Sequence, residues 1–84
     1  ESGPVADTLG WIYFQQQRYG EAMVQLQKAR QLIPNVAEVR YHLGKTYLQL
    51  QDNENAKSEL AEAIKLDPKA SFAPEVSSLL ETLK

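Results

Sequence analysis

Apolar side chains recur along the chain at three- and four-residue spacing, and the pattern restarts after each short polar break. Val5, Leu9, Ile12 and Tyr13 stand at i, i+4, i+7 and i+8, and Gln16 closes the row, which predicts a first helix. After Gln17-Arg18-Tyr19-Gly20 a second row begins. It consists of Ala22, Met23, Leu26, Ala29 and Leu32–Ile33, and Pro34 stops it. A capping box, with Asn35 as N-cap and Glu38 as its third helical residue, predicts a third helix that runs to about Leu50. Asp52 is the predicted N-cap of a fourth helix, which ends before Asp67-Pro68. A fifth starts at Ser71-Phe72-Ala73-Pro74, with Pro74 in its first turn. Its stripe is Val76, Leu79, Leu80 and Leu83.

The same pattern appears twice. Sliding the sequence by 34 residues aligns Val5 with Val39, Leu9 with Leu43, Gly10 with Gly44 and Tyr13 with Tyr47. Gln15 and Gln17 meet Gln49 and Gln51; Ala22, Leu26, Ala29, Leu32 and Pro34 meet Ala56, Leu60, Ala63, Leu66 and Pro68. These eleven identities need no gap, so they mark an internal repeat of two helices per unit. The repeat also accounts for Gly10 and Gly44. A glycine inside a helix costs about 1 kcal/mol relative to alanine. The second helix of each copy carries paired alanines, Ala22/Ala29 and Ala56/Ala63. Small residues on facing helices let the backbones approach while Leu9, Tyr13 and Leu26 interlock around the contact.

These residues resemble the tetratricopeptide repeat family, whose 34-residue unit is a helix–turn–helix. The family pattern of Leu-Gly, Tyr, Ala, aromatic or Leu, Ala and Pro is met by Leu9, Gly10, Tyr13, Ala22, Leu26, Ala29 and Pro34. Leu43, Gly44, Tyr47, Ala56, Leu60, Ala63 and Pro68 meet it again. Two departures stand out. Ala6 and Arg40 occupy the place of the pattern's first large residue, and Gln17 and Gln51 replace the usual turn glycine, which weakens the hairpins slightly. The resemblance spans about residues 4–68 and implies an all-α, right-handed solenoid of helical hairpins. The first repeat covers about residues 3–36 and the second about 37–70. In the tail, Ser78 and Glu81 stand where the repeat would place glycine and tyrosine. The helix at about 72–84 is therefore expected to be a cap, which a solenoid needs because no unit buries its own face alone.

An 84-residue chain suggests one small domain with a modest core. Two repeats and a cap are at the lower limit for such an array. Further repeats in a longer parent protein, or self-association into a homo-oligomer, are therefore expected. The start at Glu1 without Met agrees with a segment of a longer protein. A net charge of −2, with acids and bases interspersed, forms no basic stripe for nucleic acid. No apolar run approaches the roughly 18 residues of a membrane helix. The absence of cysteine excludes disulfides, thiolate metal sites and cysteine nucleophiles, and leaves the compartment, cytoplasmic or bacterial periplasmic, undecided.

Candidate chemistry is sparse. His42 is the only histidine, and with Glu38 one turn before it makes at most half a metal or acid–base site. Ser58, Ser71, Ser77 and Ser78 have no activating histidine nearby. Glu54, Glu59 and Glu62 are expected to face solvent and to pair with Lys57 or Lys65. Both repeated glycines lie inside helices, so no phosphate loop exists. No enzymatic activity and no cofactor are expected.

Surface recognition is what the resemblance implies: a protein-interaction scaffold that holds a peptide or helix of a partner protein. In the family the first helix of each hairpin lines the concave face. The groove positions carried over are Asp7, Thr8, Trp11, Phe14, Gln15 and Arg18 in the first repeat, and Tyr41, His42, Lys45, Leu48, Gln49 and Asp52 in the second. Trp11 is the expected anchor, since large aromatics are favoured at interfaces. A family branch that grips C-terminal carboxylates uses Lys, Arg and Asn along the groove. Only Lys45 matches in kind, so that activity is not expected. The stretches DTLGW and YHLG also resemble repeat proteins of bacterial exopolysaccharide synthesis and export.

Overall fold

The first helix starts earlier than its apolar stripe. In the computed structural model, which describes residues 2–84, the Ser2 hydroxyl accepts a hydrogen bond from the Val5 N–H at 3.2 Å, and Pro4 sits in the first turn. Helix α1 is Gly3–Gln15. It is followed by α2 (Tyr19–Leu32), α3 (Ala37–Gln49), α4 (Asn53–Leu66) and α5 (Ala73–Thr82), with no strand among the described residues. α1 pairs with α2 and α3 with α4; α2 packs on α3, and α4 on α5. The chain is thus a row of helical hairpins in which each pair leans on the next.

Each hairpin turn ends its first helix in the same way. The Arg18 N–H donates to the Tyr13 carbonyl and Gln17 N–H to that of Phe14, both at 2.9 Å. One repeat later Asp52 N–H donates to Tyr47 and Gln51 N–H to Leu48, at 2.9 and 3.0 Å. This closing motif requires a left-handed residue. Gln17 and Gln51 supply it at φ 62°, the only non-glycine residues with positive φ among those described.

The two glycines have equivalent surroundings. A Cβ on Gly10 would lie 2.6 Å from Leu26 Cγ, and one on Gly44 would lie 2.5 Å from Leu60 Cγ. Leu26, Leu60 and the four alanines Ala22, Ala29, Ala56 and Ala63 are fully buried. The helix pairs therefore approach so closely that only hydrogen fits at these positions. Ala6, Ala22, Leu26, Ala29, Val39 and Leu43 form one core cluster that runs from the first hairpin into the second.

Several expectations need correction. The buried side of α1 is Gly3, Ala6 and Gly10, whereas Val5 is 55 % and Ile12 44 % exposed. α1 has two apolar sides, and only one of them meets a neighbour. Leu32 at the end of α2 is likewise half exposed. α2 starts at Tyr19, so Gly20 lies within its first turn. The capping box at Asn35 does not form: Val36 is the N-cap of α3 and makes no side-chain cap. Arg40 instead folds back, its Nε and one terminal nitrogen donating to the Pro34 carbonyl at 3.0 and 2.9 Å. Asp52 does cap α4, accepting from Asn55 N–H at 3.2 Å, and Pro74 lies in the first turn of α5.

Candidate functional site

α1, α3 and α5 each turn one side to a shared face, where aromatic rings form a ladder across the hairpins. Trp11 of α1 stacks on Phe14, with centroids 4.5 Å apart, and on His42 of α3 at 4.1 Å. Tyr41 tilts toward Trp11 at 6.0 Å and stacks on Phe72, at the entry to α5, at 4.4 Å and 5°. Phe14 also meets Tyr19 edge-on at 5.4 Å. Offset and tilted pairs of this kind suit the ring quadrupoles. They also hold each ring in one orientation while leaving it partly exposed.

Polar groups tie the same helices together. His42 Nδ1 lies 2.8 Å from Asp7 Oδ1, a hydrogen bond that becomes an ion pair when the imidazole is protonated. The histidine partner is therefore Asp7 across the helix pair, not Glu38 on the same helix. Lys45 donates to Glu75 Oε2, and the Tyr41 hydroxyl donates to Glu75 Oε1 at 2.6 Å. Lys45 first and Tyr41 second hold the Glu75 carboxyl below its ordinary 4.5, against a smaller opposing effect of burial. Burial first, and the hydrogen bond to Glu75 second, push the Tyr41 hydroxyl far above its usual range. The Tyr41 phenol therefore keeps its proton and acts as a donor.

Of the residues carried over from the resemblance, Asp7, Trp11, Phe14, Tyr41, His42 and Lys45 come together here. The others take no part in these contacts. Thr8 lines a separate depression with Pro4, Val5, Leu9 and Ile12. Arg18 is held at the hairpin turn by Glu21 and Gln16 and lies over the Tyr13 ring at 4.6 Å. Gln15 and Gln49 are exposed, and Leu48 is half-buried. Asp52 is occupied as a helix cap. Phe72 and Glu75 join the cluster without having been expected. The 34-residue offset could have found Glu75, which follows Asp7 and Tyr41 in register. The loss of glycine and tyrosine in the tail hid that continuation.

Glu59 also departs from expectation. It is 6 % exposed and is held by Arg30 of α2 and by Arg40 of α3, the latter at 3.1 Å. Its role is to join three helices, not to pair with lysines in solvent.

The profile of the tetratricopeptide repeat family matches residues 13–83. The chain belongs to the tetratricopeptide repeat family. That membership makes it a repeat module of the protein-interaction class, a class that is typically non-catalytic. The matched span runs through α5, so the tetratricopeptide pattern extends over the tail in which its signature residues are lost. No curated protein matches the chain. The narrower likeness to exopolysaccharide export proteins remains an expectation from the sequence. No helix among the described residues is long and apolar enough to cross a membrane.

Proposed function

We propose that the face formed by α1, α3 and α5 holds a peptide or helix of a partner protein, with Trp11 as the central anchor. The carrying observation is the ladder Phe14–Trp11–His42, fixed by stacking at 4.5 and 4.1 Å yet still partly open to solvent. A rigid, half-exposed indole loses little conformational freedom on binding and offers a large apolar contact. Asp7, Tyr41 and Lys45 surround it with groups that hydrogen-bond a peptide backbone or its polar side chains. These groups are already oriented by one another, which reduces the ordering cost of binding.

The test begins with a peptide selected from a display library on the immobilised chain. Trp11→Ala is expected to weaken its binding about tenfold or more while leaving the helical circular dichroism unchanged. Gln31→Ala, on the exposed side of α2, is expected to bind as the parent does. Equal affinity of Trp11→Ala and the parent would refute the reading.

A further inference from the structure

α3 shows what belongs on α1. Val39 and Leu43 pack with Leu26 and Ala29 of α2, and Thr46 beside them is also fully buried. One repeat earlier the same positions are Val5, Leu9 and Ile12. Here Val5 and Ile12 are exposed and Leu9 is half-buried, and with Pro4 and Thr8 they line an open, uncharged depression of about 400 Å³. A solenoid end that faces water is normally polar. This end is more apolar than the interior it copies, since Ile12 stands where Thr46 does. The opposite end behaves as a true end: Ser77, Ser78, Glu81 and Thr82 of α5 are exposed.

A polar group points the same way. Glu59 in the second hairpin is met by Arg30, which reaches it from the hairpin before. Gln25 holds the equivalent place in the first hairpin. Its Oε1 is buried and accepts no hydrogen bond among the described residues. Arg40, the other partner of Glu59, corresponds to Ala6, which has no side-chain donor to offer. A buried acceptor without a donor costs about 1–3 kcal/mol. A donor at the Arg30 place of a preceding hairpin lies in register to meet it.

We propose that the Val5–Leu9–Ile12 face of α1 seats a further repeat hairpin, whose second helix lies on α1 as α2 lies on α3 and brings an Arg or Lys to Gln25. This surface is separate from the aromatic face of α1, α3 and α5, so the two proposals stand or fall independently. A second copy pairing α1 with α1 would also cover the apolar row, but it would set that row against itself and leave Gln25 without a donor.

The chain carries its own probe. Residues 1–36 fused directly to residues 3–84 add one hairpin, with its own Arg30, in the 34-residue register. The fusion is expected to unfold in urea in one transition with a midpoint above that of the parent. Amide exchange in the downstream α1 is expected to slow about tenfold or more. The downstream Gln25 side-chain amide resonances should shift, and revert when the added Arg30 becomes Ala. Ile12→Lys in the downstream α1 should abolish the gain, yet barely move the midpoint of the parent, where Ile12 is exposed. Two separate transitions, or unchanged exchange in α1, would overturn the proposal. So would a parent chain that sediments as a dimer dissolved by Ile12→Lys, since the face would then belong to a second copy.

Discussion

Gln51 holds a backbone conformation that suits glycine better. At φ 62° its Cβ crowds the neighbouring carbonyl, a strain of roughly 1–2 kcal/mol. Glycine relieves that strain but loses about 0.5–1 kcal/mol to its greater freedom when unfolded. Gln51→Gly is therefore expected to raise stability by about 0.5–1 kcal/mol, read as a higher urea midpoint at constant slope. Gly44→Ala should move the other way. The added methyl would sit 2.5 Å from Leu60 Cγ, in a side chain with no exposed surface into which to move. Overpacking costs about 1–3 kcal/mol against about 1 kcal/mol of recovered helix propensity, so a net loss of up to about 2 kcal/mol is expected. A stabilised Gly44→Ala protein would show that the helix pair has room for a methyl group at this position.

At the scale of elements, Glu59 couples α2, α3 and α4 through its contacts to Arg30 and Arg40. Removing one partner of a fully buried pair costs 3–5 kcal/mol. Both guanidinium groups here still reach water, so Glu59→Gln is expected to cost about 1–3 kcal/mol in urea unfolding. A double-mutant cycle with Arg30→Ala should return a coupling of at least about 0.5 kcal/mol. Simple additivity would show that the contact does not join the hairpins. This clamp also marks the limit of the sequence pattern. The five helices, the two hairpins and the glycine contacts follow from periodicity and from the 34-residue offset, because they repeat. Glu59 looked like part of a solvated charge run because its partners lie 29 and 19 residues away on other helices. The first turn of α3 departs from its local signal for a related reason. Asn35-Glu38 fits a local capping rule, but the chain there follows the return of Arg40 to the Pro34 carbonyl. Among the site residues, Trp11, Tyr41 and Lys45 are implied by the family resemblance, whereas Phe72 enters only through its stacking on Tyr41.

For the whole molecule, α5 is tied to the aromatic face through Glu75. Its carboxyl titrates below its ordinary 4.5 when folded, so the native state binds fewer protons than the unfolded chain as acid is added. The stability from this group is present above the unfolded pKa and is lost as pH falls through the folded one. Thermal midpoints of the parent and of Glu75→Gln should therefore converge as pH falls below about 4.5. The difference at neutral pH is expected to be small and to shrink with salt, because the Glu75 side chain is 42 % exposed. A midpoint difference that stays constant down to pH 3 would remove Glu75 from the tether.

The most direct test of partner binding on this face is an amide-resolved NMR titration of the chain with the display-selected peptide. Shift changes centred on Trp11, Tyr41, His42 and Lys45, including the Trp11 indole N–H, are the expected result. Changes confined to the exposed sides of α2 and α4, with the indole resonance unmoved, would contradict the account.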